Sequence, residues 1–306
     1  MTKVAIIVLN WNGAPDTVEC LKSIEKLTIS NLHLHTFVID NASSDDSVKE
    51  ITSFVKQKKN ITIIENEKNL GFAGGNNVGI RKALEQGFDY LFILNNDTIL
   101  DKDCITELVL ASQTYTDGGL FTPKIYFAKG FEFHHDRYQK ESLGHVIWSA
   151  GGDMDWNNVY GSNHGVDQVD IGQFNMHYAT TFATGAALFG PAETFRRIGM
   201  FDEKYFLYLE DLDLSIRVQK KHKSIIYVPD SIVWHKVSQS SGIGSGLNDY
   251  YITRNRLMFG MRYASLRTKF ALARESIRMY LSGRQWQKIG VKDYYLGNLG
   301  KGSYRS

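Results

Sequence analysis

The sequence predicts an α/β fold with a mostly parallel sheet covered by helices on both faces, and three observations carry that expectation. Short apolar runs at residues 3–9, 34–39, 61–64 and 90–94 have the length and continuous apolarity of strands buried on both sides. Stretches with helical spacing separate them, so successive strands are joined by crossovers. Several runs end abruptly in polar residues, and in open α/β sheets ligands sit beyond the carboxyl ends of the strands.

The first run is followed by Asn10, Trp11, Asn12 and Gly13, and Pro15 then opens a helical pattern through residue 27 with Val18, Leu21 and Ile24 on one side. The second run leads into Asp40, Asn41, Ala42, Ser43 and Ser44, with a helix over 45–58. After the third comes a glycine-rich stretch, residues 69–77, read as a loop leading into a helix that ends near Gly87. Residues 1–125 thus read as a nucleotide-binding half. The dinucleotide pattern G-x-G-x-x-G is absent after the first strand, and no G-x-x-x-x-G-K-[ST] loop exists, which weakens dehydrogenase and P-loop readings.

The fourth run ends in Asn95, Asn96, Asp97 and Thr98. Asp97 is the leading candidate ligand, because a carboxylate beside side-chain amides suits a hard divalent cation, Mg²⁺ or Mn²⁺, shared with a diphosphate. A plain strand-to-loop turn accounts for the same residues.

Residues 126–247 read as the second half of the same domain. Aromatic residues scattered over 126–178 fit a sugar-binding surface or the core of a small antiparallel sheet, and the pair His134 and His135 has no spaced partner and reads as loop. Residues 184–190 form a small-residue strand suited to close approach of a ligand or another backbone, followed by a helix from Pro191 to Arg197 closed by Gly199. Glu210, Asp211 and Asp213 cluster at the start of another helix, where the macrodipole favours carboxylates by ~0.3–1 kcal/mol each, so capping covers one or two of them. Asp213 and Arg217 are i, i+4 partners. A strand at 225–228, the pair Trp234 and His235, and a glycine-rich stretch over 241–246 read as a mobile lid complete this half.

With 306 residues, 43% hydrophobic and 12% aromatic, the chain is globular in composition. Cys20 and Cys104 lack metal-type spacing and read as buried free thiols. No window approaches ~18 uninterrupted apolar residues, so a cytoplasmic protein is expected. Net charge is +2, yet residues 251–306 carry 12 Lys and Arg against 2 Asp and Glu. Residues 248–306 therefore read as a basic helical arm suited to an anionic surface.

Taken together, these stretches resemble family 2 glycosyltransferases with the GT-A (Rossmann-like) fold, in particular the rhamnosyltransferase-like branch of bacterial polysaccharide assembly. The resemblance rests on residues 8–13, 39–45, 69–77, 94–98, 184–187, 201–213 and 250–256, in family order. It implies an inverting transferase acting on a dTDP- or UDP-linked sugar, most plausibly L-rhamnose, and a glycan acceptor, including one carried on lipid. It also implies roles for residues. Asp40 would accept a hydrogen bond from the pyrimidine ring, with Asn10, Asn12, Gly71, Asn76, Asn77, Asn95 and Asn96 as further donor contacts. Asp97 would hold the metal, helped by His235, although Asn95 stands where the family's D-x-D motif has its first acid, which puts strict metal dependence in doubt. Arg254 and Arg256 would hold the diphosphate or an anionic carrier, and Asp211 would be the general base with Glu210 beside it. A sugar nucleotidyltransferase lacks its expected basic glycine-rich loop here, while a UDP-hexose donor and a non-catalytic glycan-binding module stay open. The cations over 262–288, spaced among Phe270, Leu272, Ile277, Tyr280, Leu281 and Trp286, fit peripheral attachment to an anionic membrane at its cytoplasmic face, with no nucleic-acid role.

Overall fold

The computed structural model describes residues 1–29, 31–237 and 245–305. Its first half is a run of strands and helices: β1 (Thr2–Asn10), α1 (Ala14–Ile24), β2 (Leu32–Asp40), α2 (Ser47–Val55), β3 (Ile61–Glu65), α3 (Gly71–Glu85) and β4 (Tyr90–Asn95). These strands are all parallel, with β1 between β2 and β4 and β3 outside β2. Alternation along β1 explains its unbroken apolarity. Val4, Ile6 and Val8 pack into the layer that contains Leu21 of α1, while Ala5 and Ile7 face the layer that contains Ile80 of α3.

The second half adds β5 (Thr98–Leu100), α4 (Cys104–Thr114), β6 (Gly118–Phe127), β7 (Ile147–Ser149), β8 (Gly152–Asp155), β9 (Tyr160–Asn163), β10 (Tyr178–Ala179), β11 (Ala187–Pro191), α5 (Ala192–Ile198), α6 (Glu210–Gln219) and β12 (Ser224–His235). The sheet continues without a break in the order β10-β12-β6-β11-β4-β1-β2-β3, with β11 antiparallel to both neighbours. Residue 125 falls inside β6, so both halves share one sheet. Small residues let β11 enter: a Cβ on Gly190 would lie 2.9 Å from the Gly119 carbonyl oxygen. β8 and β9 form a separate antiparallel pair.

β12 is far longer than the strand expected at 225–228. Pro229 has no N–H and breaks the pairing, but the register with β6 shifts between Val228 and Ile232 and then resumes to the pair His235 and Phe127. This bulge hid the strand end that carries His235. Cys20 and Cys104 are free and buried, and burial pushes both thiols up to about 12.

Residues beyond 245 fold as α7 (Gly246–Tyr263), α8 (Leu266–Ser282) and α9 (Gln285–Leu296). The lid expected over 241–246 lies outside the described residues at 241–244. Ser245 caps α7, its Oγ accepting from the Asn248 N–H at 3.2 Å. α7 is packed on the body, with Tyr250, Tyr251, Leu257, Met258 and Phe259 buried. α8 has two faces. Leu272, 2% exposed, points inward, whereas Phe270 at 77% and Leu281 at 71% face solvent along with Leu266 and Ile277. Trp286 of α9 also turns inward, against Tyr250 and Tyr304, so Leu272 and Trp286 leave the expected surface stripe.

Candidate active site

The carboxyl edge of the sheet gathers the polar ends of β1, β2 and β4. In register, Asn10 lies beside Asp40 and Leu9 beside Asn95. Asn10 donates from Nδ2 to Asp40 Oδ1 at 2.8 Å, and Ser43 donates to the same carboxylate from Oγ at 2.6 Å and from its backbone N–H at 2.9 Å. Thr17 Oγ1 donates to Asn10 Oδ1 at 2.7 Å and accepts from Asn96 Nδ2 at 3.0 Å. Asn12, at φ +53°, accepts from the Ser44 N–H at 2.8 Å. Asn10, Asn12, Asp40, Asn95 and Asn96 are thus brought to one edge of the sheet. Asp40 keeps acceptor capacity on Oδ2, which takes only the Ser43 N–H.

Residues 71–77 are not a loop, because α3 begins at Gly71 itself. The glycines there serve close packing. A Cβ on Gly75 would lie 2.5 Å from Leu9 Cδ1, and one on Gly71, whose φ is +73°, would lie 2.3 Å from the Phe206 carbonyl oxygen. Asn77 is a fold contact rather than a donor contact: its amide donates to the Phe201 carbonyl at 2.9 Å and accepts the Phe201 N–H at 3.1 Å. Asn76 is fully buried and donates to the Phe72 carbonyl at 3.0 Å, while its Oδ1 has no partner among the described residues. Asn41, absent from the sequence-based candidates, latches this helix start to the end of β2 by accepting the Leu70 N–H at 3.0 Å and donating to the Gly71 carbonyl at 3.1 Å.

Asp97 and His235 meet although 138 residues separate them, with His235 Nε2 3.1 Å from Asp97 Oδ1. The bulged strand makes this possible by pairing His235 with Thr98 on β5. Both side chains are buried, and Trp148 packs edge-on against the imidazole at 4.7 Å. A carboxylate and an imidazole suit a hard or borderline divalent cation. No group of three or more His, Cys, Asp or Glu among the described residues forms a metal cage, and His235 Nδ1 lacks the partner that usually orients a ligating histidine. The pair therefore fits a cation that arrives with a diphosphate completing its coordination, not a preformed site.

The third cluster opens α6. Asp211 Oδ2 accepts the Gly185 N–H at 2.9 Å and Oδ1 accepts the Leu212 N–H at 2.8 Å. Gly185 adjoins Ala186, whose carbonyl accepts the Asn95 N–H at 2.9 Å, so one short segment links the end of β4 to Asp211. Burial pushes the Asp211 carboxyl above its usual range, against the pull of those two N–H groups. Glu210 is raised well above it, first by burial and then by the Asp211 charge, and its Oε2 is buried without a partner among the described residues. Of the two, Glu210 is pushed further toward its protonated form. Asp213 does not cap the helix; it is fully buried and accepts from Arg217 Nε at 2.7 Å, Arg262 Nη1 at 2.8 Å and the Tyr263 hydroxyl at 2.8 Å.

The loop before α6 is strained. Phe206, Tyr208 and Leu209 have φ of 66°, 71° and 69°, left-handed values that cost non-glycine residues ~1–3 kcal/mol each unless the surroundings fix them. Arg254 supplies part of that fixing, which corrects its expected role. It is 0% exposed and donates to the carbonyls of Gly300 at 2.7 Å and Tyr205 at 2.9 Å. Arg256 is likewise engaged within the fold, donating to the Asn158 carbonyl at 2.7 Å and to Glu275 at 2.9 Å.

A doubly covered, mostly parallel sheet continued by the antiparallel β11, with polar side chains at its carboxyl edge, is the architecture of the GT-A fold, and the family comparisons make the chain a glycosyltransferase. The sequence model described as Glycosyl transferase family 2 matches residues 5–167, and that of Glycosyl transferase family group 2 matches residues 90–292. The chain belongs to glycosyl transferase family 2. It is 24% identical over 258 residues to the low-salt glycan biosynthesis hexosyltransferase Agl10 of Haloferax volcanii, covering 83% of this chain and 74% of that one. It is 21% identical over 245 residues to the N-acetylglucosaminyl-diphospho-decaprenol L-rhamnosyltransferase of Mycobacterium tuberculosis, covering 78% and 77%. Among solved structures, GalNAc-T7 with UDP, GalNAc and Mn²⁺ superimposes with a TM-score of 0.63 at 15% identity, over 90% of this chain and 54% of that one. The mannosyltransferase PcManGT of Pyrobaculum calidifontis, with GDP-Man and Mn²⁺, gives 0.55 at 14% identity over 96% and 74%.

Proposed function

We propose that the chain is an inverting glycosyltransferase that moves a hexose or deoxyhexose, with L-rhamnose from dTDP-rhamnose the favoured case and a UDP-hexose the alternative, onto a glycan acceptor. The observation that carries this reading is Asp211. A carboxylate that accepts two backbone N–H groups, beside Glu210 whose carboxyl burial pushes toward its neutral form, is joined through residues 185 and 186 to the strand end that precedes Asp97. As the acceptor oxygen attacks the anomeric carbon, Asp211 takes its proton, and the bond from that carbon to the diphosphate oxygen breaks on the opposite face. A bound Mg²⁺ or Mn²⁺, held by Asp97 and His235, would supply charge neutralisation of the departing diphosphate. Asp40, Asn10 and Asn12 would receive the nucleoside, and the relatives at the rhamnosyl and hexosyl level support the sugar class. Incubating the purified protein with dTDP-rhamnose and UDP-hexoses tests it: nucleoside diphosphate release and thermal protection are expected with at least one, and neither with any donor would overturn it.

The acceptor reading extends to a lipid-linked glycan reached at the cytoplasmic face of the cell membrane. No helix among the described residues is long and apolar enough to cross a membrane. The outer face of α8 instead presents Leu266, Phe270, Ile277 and Leu281 to solvent on a helix that also carries Arg267, Lys269, Arg274 and Arg278. Such a face suits an anionic interface, each basic residue contributing ~1 kcal/mol near the surface. Flotation with anionic liposomes should carry the protein at low salt, and less at high salt or after Phe270→Ser with Leu281→Ser. Absence of binding at low salt would remove the membrane reading.

A further inference from the structure

We infer that Asn255 on α7 is a positioning residue for the base, a role that rests on reading Asp211 as that base. The residue does not reach the carboxyl edge of the sheet. It is fully buried, and its Nδ2 lies 2.9 Å from the Tyr205 carbonyl oxygen, 2.7 Å from that of Leu207 and 2.9 Å from that of Tyr208. These three carbonyls belong to the loop whose residues Phe206, Tyr208 and Leu209 are left-handed. Asn255 is itself held in place, since its Oδ1 accepts from Arg254 Nε at 3.0 Å.

The loop decides where the base points. Leu209 is the residue immediately before α6, and its carbonyl accepts the Asp213 N–H at 2.9 Å, the bond that opens the helix. Asp211 leaves the helix within that same first turn, so its direction follows from the dihedrals of Tyr208 and Leu209. Neither residue favours a left-handed backbone, and such a conformation persists only when neighbours over-determine it. On the other side of the loop the Phe206 carbonyl accepts the Ala73 N–H at 3.2 Å, so the segment is held between α7 and the start of α3. One amide nitrogen whose two N–H groups are shared among three carbonyls of a strained five-residue loop does more than fill space. It fixes the turn that aims the carboxylate, and misplacing a reacting group by ~1 Å costs ~10²-fold in rate.

Asn255→Leu keeps the approximate volume and removes the N–H donors, and Asn255→Asp keeps the Oδ1 acceptor for Arg254 while removing the same donors. Each is made alone and with Asp211→Asn, and dTDP release from dTDP-rhamnose, or from the active donor of the panel, is measured together with the stoichiometry and affinity of nucleotide binding. The inference expects turnover per nucleotide-binding site to fall by about 10²-fold in the Asn255 variants at unchanged donor affinity. It also expects no further fall when Asp211→Asn is already present. If Asp211→Asn cuts turnover but the Asn255 variants turn over normally per binding site, or lower turnover by the same factor in both backgrounds, the inference is overturned with the base intact. Normal turnover of Asp211→Asn alone would instead overturn the base and the inference with it.

Discussion

Asp211→Asn is expected to lower turnover by ~10²–10⁴-fold, the usual contribution of general-base assistance, while leaving nucleotide affinity close to that of the parent protein. The side chain is isosteric, and its Oδ1 can still accept one of the two N–H groups from Gly185 and Leu212, so the local backbone has reason to stay in place. A role limited to the helix start predicts the reverse, a stability change of ~1 kcal/mol with turnover retained. Transfer rate, nucleotide affinity and melting temperature on this variant separate the two, and near-parental turnover would exclude Asp211 as the base. Glu210→Gln makes the complementary case. Burial and the neighbouring charge push Glu210 toward its protonated form, which a neutral amide imitates, so turnover should be retained. The pH dependence follows from the directions of the shifts. Asp211 must be ionised to act, and its raised value places the acid limb of the rate profile above the ordinary carboxylate range near ~4. For stability the sign is opposite to that of a salt-bridged acid: the folded state holds the Glu210 proton more tightly than the unfolded chain. That contribution is present in full below the unfolded value of ~4.3 and is lost as pH rises through the higher folded value, so Glu210→Gln should flatten the alkaline side of a melting-temperature profile.

Asp97→Asn should have the second large effect, at least ~10²-fold in turnover, the size seen when one group that stabilises developing charge is removed. Here the loss should appear in the cation requirement. Asn95 already occupies the first position of the polar triplet, so Asp97 is its one acid and the substitution leaves His235 with amide neighbours. Titration of Mn²⁺ against nucleoside diphosphate binding is the direct reading. The parent protein should show cation-enhanced binding that chelator removes, and Asp97→Asn should bind the nucleotide weakly with or without Mn²⁺. His235→Gln should weaken the cation requirement by ~10–100-fold, since the imidazole both contacts the carboxylate and braces it against Trp148. Equal nucleotide binding by all three proteins across the Mn²⁺ range would separate this pair from the donor site.

The framework of strands and covering helices was legible in the sequence. Strand apolarity is a local property, as Val4 to Val8 and Leu91 to Leu94 show, and a parallel sheet must lie between two helical layers to bury both faces of such strands. The polar residues at the ends of these runs then fall at one edge, so that Asn10, Asp40 and Asn95 end neighbouring strands was legible without coordinates. What tertiary structure decided was which partner each polar side chain takes, because a guanidinium or an amide looks the same in sequence whether it meets a ligand or a carbonyl. Arg254, Arg256 and Asn77 are used by carbonyls and carboxylates of distant segments, and the glycines of α3 give up side chains to let the helix meet Leu9 and Phe206. His235 was visible as a residue but not as a strand end, since Pro229 reads as a terminus unless β6 is there to resume the pairing. The two faces of α8 likewise depend on where α7 and α9 pack: helical spacing marks Phe270 and Leu272 alike as apolar, and only the neighbouring helices bury one and leave the other in solvent.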